Sequence, residues 1–176
     1  MQPSQQILDL IARGATFVVN HSGGKDSQAM YLTIRKFVPA AQIILVHADL
    51  GEVEWHGAVA HIKASTDGEP LHICKSRRGL LQMIEERGMF PSPSQRQCTS
   101  DLKRNPIERT IRQYVAERVA QYPTPEAATA AGARIIVNCM GMRAQESSGR
   151  SKLTAFKFSE RNSKAGREWY DWRTDP

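Results

Sequence analysis

Four short runs along the chain hold apolar residues without a polar residue at every second position. They are residues 16–20 (TFVVN), 42–47 (QIILVH), 71–74 (LHIC) and 134–139 (RIIVNC). Compact runs of β-branched and aliphatic residues predict strands covered on both faces. Between them, apolar residues recur at helical spacing, which predicts helices over residues 5–13, 26–37, 52–65, 78–87 and 107–120. Pro106 suits the first turn of the last of these. Residues 88–97 (GMFPSPSQRQ) read as a loop. Residues 122–132 hold two prolines and an alanine-rich piece that suits a short helix. Residues 141–149 read as a loop or short helix, and residues 154–158 as an edge strand. Residues 159–176 are polar and lack a clear period.

Buried strands separated by helices imply a three-layer α/β/α fold with a mainly parallel, doubly wound sheet of about five strands. Strand 17–20 belongs at its centre, flanked by 43–47 and 135–138. The expected organisation is one nucleotide-binding domain over residues 1–158 and a C-terminal tail over 159–176, in a chain of 176 residues.

Composition narrows the class. No stretch approaches ~20 consecutive apolar residues, so no spanning helix and no membrane partner is expected. The first residues lack the basic-then-apolar order of a signal peptide, and the expected location is cytoplasmic. Cys74, Cys98 and Cys139 are odd in number and widely spaced, which excludes a closed disulfide framework, and no CxxC pair suggests zinc. Cys74 and Cys139 read as buried thiols of a reducing compartment. Lys and Arg number 24 against 18 Asp and Glu, a net charge of +6, so the ligand is expected to be a polyanion. Nucleotide, pyrophosphate and nucleic acid all fit that charge. Aromatic content of 7% and the lack of an RNA-binding motif argue against nucleic acid.

The chemistry concentrates in FVVNHSGGKDSQAM, residues 17–30, where a buried strand enters a glycine turn and then a helix. Ligands of doubly wound sheets bind beyond such strand ends. Gly23 and Gly24 let a phosphate approach the backbone, and Ser22 and Ser27 offer hydroxyls. The unpaired N–H groups and dipole of the first helical turn favour an anion, and Lys25 adds a full charge. The string is neither a Walker loop nor a Rossmann GxGxxG. SGGKDS resembles the SGGxDS signature of the PP-loop ATP pyrophosphatases. Five fixed positions match by chance with a probability on the order of 10⁻⁴ at ordinary residue frequencies.

That resemblance implies ATP as ligand, with its β,γ-pyrophosphate gripped by Ser22, Gly23, Gly24, Lys25, Asp26 and Ser27. Attack at the α-phosphate then yields an adenylate and pyrophosphate. It also implies that the end of the next strand (IILVHADLGE, residues 43–52) contacts adenine through Val46, His47 and Ala48. Asp49 falls to the ribose or metal region, and Mg²⁺ to Asp26 and Asp49. On its own residues, Asp26 equally suits a helix cap, and His47 a strand-end histidine with a satisfied hydrogen bond. His56, His61 and His72 have no metal-site spacing.

Three further segments, RQCTSDLKRNP (96–106), VNCMGMRAQESSGR (137–150) and REWYDW (167–172), narrow the resemblance. Together they are similar to the phosphoadenosine phosphosulfate (PAPS) reductase-like branch, with its R-x-C-T-x-x-x-K-x-x-P and G-[IM]-R-x-x-E-S-x-x-R elements. The branch implies an adenine nucleotide alpha hydrolase-like fold. Lys103, Arg104, Arg143 and Arg150 are cations suited to phosphate or sulfate oxygens, with Glu146 and Ser147 orienting Arg143. Lys25, Asp26 and Arg143 are the expected catalytic residues.

Two features depart from the reductases of that branch. The ECGLH-like cysteine motif is missing, and no cysteine follows Cys139, leaving Cys98 as the one thiol inside a family motif. The pattern also usually continues past the tryptophan region, so the chain resembles either a short form, as compact phage or mobile-element homologues are, or a form whose C-terminal tail is truncated relative to the family. The leading expectation is an adenylyltransferase-like enzyme acting on ATP and an unidentified acceptor. The alternatives are a sulfonucleotide reductase using Cys98 or a partner thiol, and a non-catalytic nucleotide sensor or nucleic-acid-modification partner. A homo-oligomer or a partner subunit is left open.

Overall fold

The computed structural model describes residues 2–92, 98–143, 145 and 151–174. Among these residues, six strands form one sheet in the order β3-β2-β1-β4-β6-β5. The strands are β1 (Thr16–Asn20), β2 (Ile43–Asp49), β3 (Leu71–Lys75), β4 (Ile135–Gly141), β5 (Phe156–Phe158) and β6 (Glu168–Thr174). All neighbours pair in parallel except β5 with β6. Strand β1 lies inside the sheet, with Val18 opposite Ile44 of β2 and Asn138 of β4, as the apolar runs predicted. The chain steps outward from β1 through β2 to β3, then returns to the other flank of β1 as β4. The order therefore reverses beside β1, which is where open α/β sheets leave a crevice.

Helices cover both faces, and the strand alternation sorts side chains between them. Phe17 and Val19 of β1 point to one side, into a core with Met30, Tyr31 and Ile34 of α2 (Lys25–Ile34) and with Ile7 and Leu10 of α1 (Gln5–Ala12). Val18 points to the other side, where Ile44, Ile136 and Trp169 meet Ile111 and Val115 of α5 (Asn105–Val119). Two shorter helices, α3 (Ala58–Ala64) and α4 (Leu80–Arg87), follow β2 and β3, and α6 (Pro125–Ala130) precedes β4. No helix among the described residues is long and apolar enough to cross a membrane.

Two expectations are corrected. Helix 52–65 is interrupted: a 3₁₀ turn at Gly51–Val53 is followed by irregular chain before α3 starts. Gly57 holds φ at 87°, a left-handed conformation that a right-handed helix cannot pass through. The polar stretch after residue 158 is also not patternless, because Glu168–Thr174 is β6, paired over its whole length with β4. Its tryptophans enter opposite cores, Trp169 at 0% exposure and Trp172 at 6%. Asp171 is satisfied internally: it accepts from Asn138 Nδ2 at 3.0 Å and from Trp169 Nε1 at 3.1 Å.

Candidate nucleotide site

At the end of β1 the chain turns through His21, Ser22, Gly23 and Gly24 into α2. Gly23 sits at φ 78°, where an L side chain is strained, and a β-carbon there would lie 3.7 Å from that of Ala58 in α3. Ser27 braces the turn from the first helical turn. Its Oγ donates to Gly24 O at 2.8 Å, accepts from Ser22 N–H at 3.2 Å and lies 3.2 Å from Ser22 Oγ. Ser27 is therefore a buried brace, while Ser22 and Lys25 are exposed at the rim. Gly24 is the N-cap residue and contributes no side-chain cap, which leaves the first N–H groups of α2 facing the turn.

Beneath the turn lies His21, 1% exposed. Its Nδ1 accepts from Gly23 N–H at 3.1 Å, which places the proton of the neutral ring on Nε2. Burial, with His47 and His61 nearby, lowers its pKa to about 4, so the ring is neutral at physiological pH. Next to it, His47 Nδ1 donates to His21 O at 2.9 Å, and its Nε2 lies 3.9 Å from Glu54 Oε2. Both Nε2 atoms are buried without a hydrogen-bond partner among the described residues. Groups left in this way at a cleft wall call for a ligand or water.

Two clefts open on either side of the turn. The first, of about 150 Å³, is lined by Ser22, Val46, His47, Ala48, Lys103 and Ile107, among others. It brings together five of the residues expected at the site from three separate segments. The second, of about 440 Å³, runs along Gly23 and Gly24 to Trp55, Ala58 and His61. Glu54 lines both.

Arg143 emerges two residues past β4, at the same sheet edge as the turn, with its Nε 3.1 Å from Asp26 Oδ2. Asp49, at the end of β2, accepts from Gly51 N–H at 2.7 Å and lies 3.7 Å from Lys75 Nζ. Each expected magnesium carboxylate thus has a cation beside it, and no group of three His, Cys, Asp or Glu among the described residues could hold a metal by itself. Lys103 and Arg104 close a π-helical stretch, Thr99–Arg104, that leads into α5. Arg150, Glu146 and Ser147 lie outside the described residues, as does Arg96.

The thiols divide by burial. Cys74 and Cys139 are buried, and burial raises both pKa values, that of Cys139 well above the ordinary range. Such thiols are poor nucleophiles. Cys98 is half-buried at the start of the π-helical stretch.

The pattern reading missed His21, Glu54 and Trp55. Glu54 and Trp55 were assigned to a continuous helix; the signal against it was Gly57. Trp55 is 86% exposed, an unusual position for the largest apolar side chain.

The phosphoadenosine phosphosulfate reductase domain family matches residues 16–168, from the first residue of β1 to the first of β6. The chain belongs to that family, a group of nucleotide-binding enzymes within the PP-loop, adenine nucleotide alpha hydrolase-like superfamily. No curated relative matches it.

Proposed function

Given that membership, we propose that this protein binds ATP and cleaves it at the α-phosphate, passing the adenylyl group to an acceptor and releasing pyrophosphate. The observation that carries the reading is the braced turn at Ser22–Ser27, in which two glycines, the first N–H groups of α2 and Lys25 make a cradle for two adjacent phosphates. The adenosine then falls in the cleft lined by Val46, His47 and Ala48, with Lys103 at its wall.

The chemistry follows from charge. Negative charge builds on the leaving pyrophosphate, and donors fixed before the reaction stabilise it without reorganising. Arg143 is positioned by Asp26 to reach the α-phosphate, where its planar fork engages two oxygens. Neutral His21 holds the Gly23 N–H and so fixes the curvature of the turn without placing a second cation beneath it. Asp26 is the carboxylate that the loop would offer a Mg²⁺ ion, which would supply neutralisation of phosphate charge there.

The competing activity, reductive release of sulfite from PAPS, requires a reactive thiol. Burial of Cys74 and Cys139 disfavours them and leaves only Cys98 or a partner's thiol for the role. Product analysis separates the two. Incubation with ATP and Mg²⁺ is expected to give pyrophosphate and AMP, water taking the place of the acceptor. Sulfite from PAPS in the presence of thioredoxin, with no pyrophosphate from ATP, would replace the proposal by the reductase.

A further inference from the structure

A row of polar side chains crosses the sheet near the site: Asn20 at the end of β1, Asn138 of β4 and Asp171 of β6. Asn20 Nδ2 donates to Asn138 Oδ1 at 2.7 Å and to Cys139 O at 2.6 Å, and Asn138 Nδ2 donates to Asp171 Oδ1 at 3.0 Å. The direction of these bonds is forced. A backbone carbonyl and a carboxylate can only accept, so each asparagine turns its NH₂ group toward the next strand, β4 for Asn20 and β6 for Asn138. Both N–H groups of Asn20 are thereby used. Its Oδ1 accepts from nothing among the described residues and is not sealed inside the protein, since Asn20 lines the first cleft.

We propose that Asn20 reads the sugar of the bound nucleotide: its Oδ1 accepts a hydrogen bond from a ribose hydroxyl, and Asn138, itself oriented by Asp171, is the positioning residue that holds it in that role. This deepens the ATP reading above and rests on its placement of the nucleotide. Asn20 is level with Val46 in the β1–β2 register, and the glycine turn starts at the next residue. With the base along Val46–Ala48 and the phosphates on the turn, the sugar that joins them lies over the end of β1, where Asn20 stands. A ribose hydroxyl can donate, whereas the ring oxygen and the phosphate oxygens only accept, so an acceptor fixed at this point favours the sugar and disfavours a phosphate. An amide free to rotate could offer either of its ends. This one is held through both N–H groups and offers only oxygen. A nucleotide that lacks the matching hydroxyl leaves that oxygen unpaired and is rejected for it.

The test titrates the full chain with ATP, its 2′-deoxy and 3′-deoxy analogues and ITP, by calorimetry. In wild type, the analogue missing the hydroxyl that Asn20 receives is expected to bind about tenfold more weakly than ATP. Asn20→Ala should bring that ratio to within about twofold while leaving the ATP-to-ITP ratio, which reports the base, as it was. Asn138→Ala leaves Asn20 held by Cys139 O alone and should shrink the deoxy ratio to about threefold, again without moving the ITP ratio. The wild-type comparison needs no variant, so a failure of Asn20→Ala to fold leaves the proposal exposed to that comparison and to Asn138→Ala. Deoxy analogues that bind wild type as tightly as ATP, a deoxy loss that survives Asn20→Ala, an ITP ratio that collapses in its place, or no ATP binding at millimolar concentration would overturn the proposal. Pyrophosphate release is measured on the same samples. Release without a deoxy loss removes the role of Asn20 and keeps the adenylation reading. A deoxy loss that depends on Asn20, without release, does the reverse.

Discussion

In the turn between β5 and β6, polar side chains are buried and tied to one another. Glu108 of α5, 6% exposed, accepts from Arg161 Nη2 at 2.6 Å and from Asn162 Nδ2 at 3.3 Å. Ser163 Oγ accepts from Trp169 N–H at 2.9 Å, and Ser159 N–H donates to Trp169 O at 2.8 Å. The glycine turn between β1 and α2 is built from similar residue types, yet His21 and His47 each keep a buried ring nitrogen without a partner among the described residues. Burying an unpaired polar group costs about 1–3 kcal/mol, so such groups persist where something else supplies the partner. The first cluster is therefore closed within the fold, and the second leaves its partners to be supplied by water or, on the proposed reading, by the nucleotide. Mutations should divide the same way.

The largest effect is expected at Glu108. Glu108→Ala leaves Arg161 and Asn162 without their acceptor and should cost about 3 kcal/mol, read as a drop of about 10 °C in melting temperature. ATP affinity of the folded fraction should not change. A variant that melts normally but loses ATP would reverse the assignment of the two clusters.

Acid should strike the other cluster. An unfolded histidine takes up its proton near pH 6.5, whereas buried His21 does so only at about 4. Below pH 6.5 the unfolded chain thus binds a proton that the folded one refuses. Stability is full above that pH and falls as the pH drops toward 4, by up to about 3 kcal/mol. Urea titrations across this window should show the loss in wild type and a smaller one in His21→Asn.

Lys25→Ala should weaken ATP by about 10- to 100-fold and AMP hardly at all, because a charge-assisted contact of roughly 1.5–3 kcal/mol is lost only from the outer phosphates. Isothermal titration with both nucleotides measures this. Equal losses would make Lys25 a structural residue.

The smallest effect is a gain. Ala165 in the β5–β6 turn has φ 54°, a left-handed conformation unfavourable for an L side chain. Ala165→Gly should relieve it and stabilise the fold by about 0.5–1 kcal/mol, a small rise in melting temperature with nucleotide binding unaltered.

What could be read in the sequence follows the same division. The runs TFVVN, IILVH and IIVNC announce strands because both faces of β1, β2 and β4 are covered by apolar helices, so burial appears directly as composition. Strand β6 pairs with β4 just as fully, but its sequence EWYDWRT hides this. Asp171 is masked by bonds to Asn138 and Trp169, and Glu168 by an ion pair with Arg13 at 2.5 Å. Partners so distant in sequence leave no periodic trace. The convergence of Ser22, Val46–Ala48 and Lys103 on one cleft was legible because parallel strands all end at one edge, and short motifs at those ends are local. The placement of Glu54 and Trp55 was not, since it follows from the break in the helix at Gly57. Asp26 was read as a magnesium ligand or cap; its contact with Arg143 joins segments more than a hundred residues apart.

The most direct measurement is a crystal structure of the protein soaked with ATP and, separately, with PAPS. The account predicts the β- and γ-phosphates of ATP on the backbone N–H groups of Gly23–Ser27 and beside Lys25. Adenine should lie along Val46–Ala48, and the α-phosphate within reach of Arg143. ATP bound away from the glycine turn, or PAPS seated there with its sulfate turned toward Cys98, would contradict it.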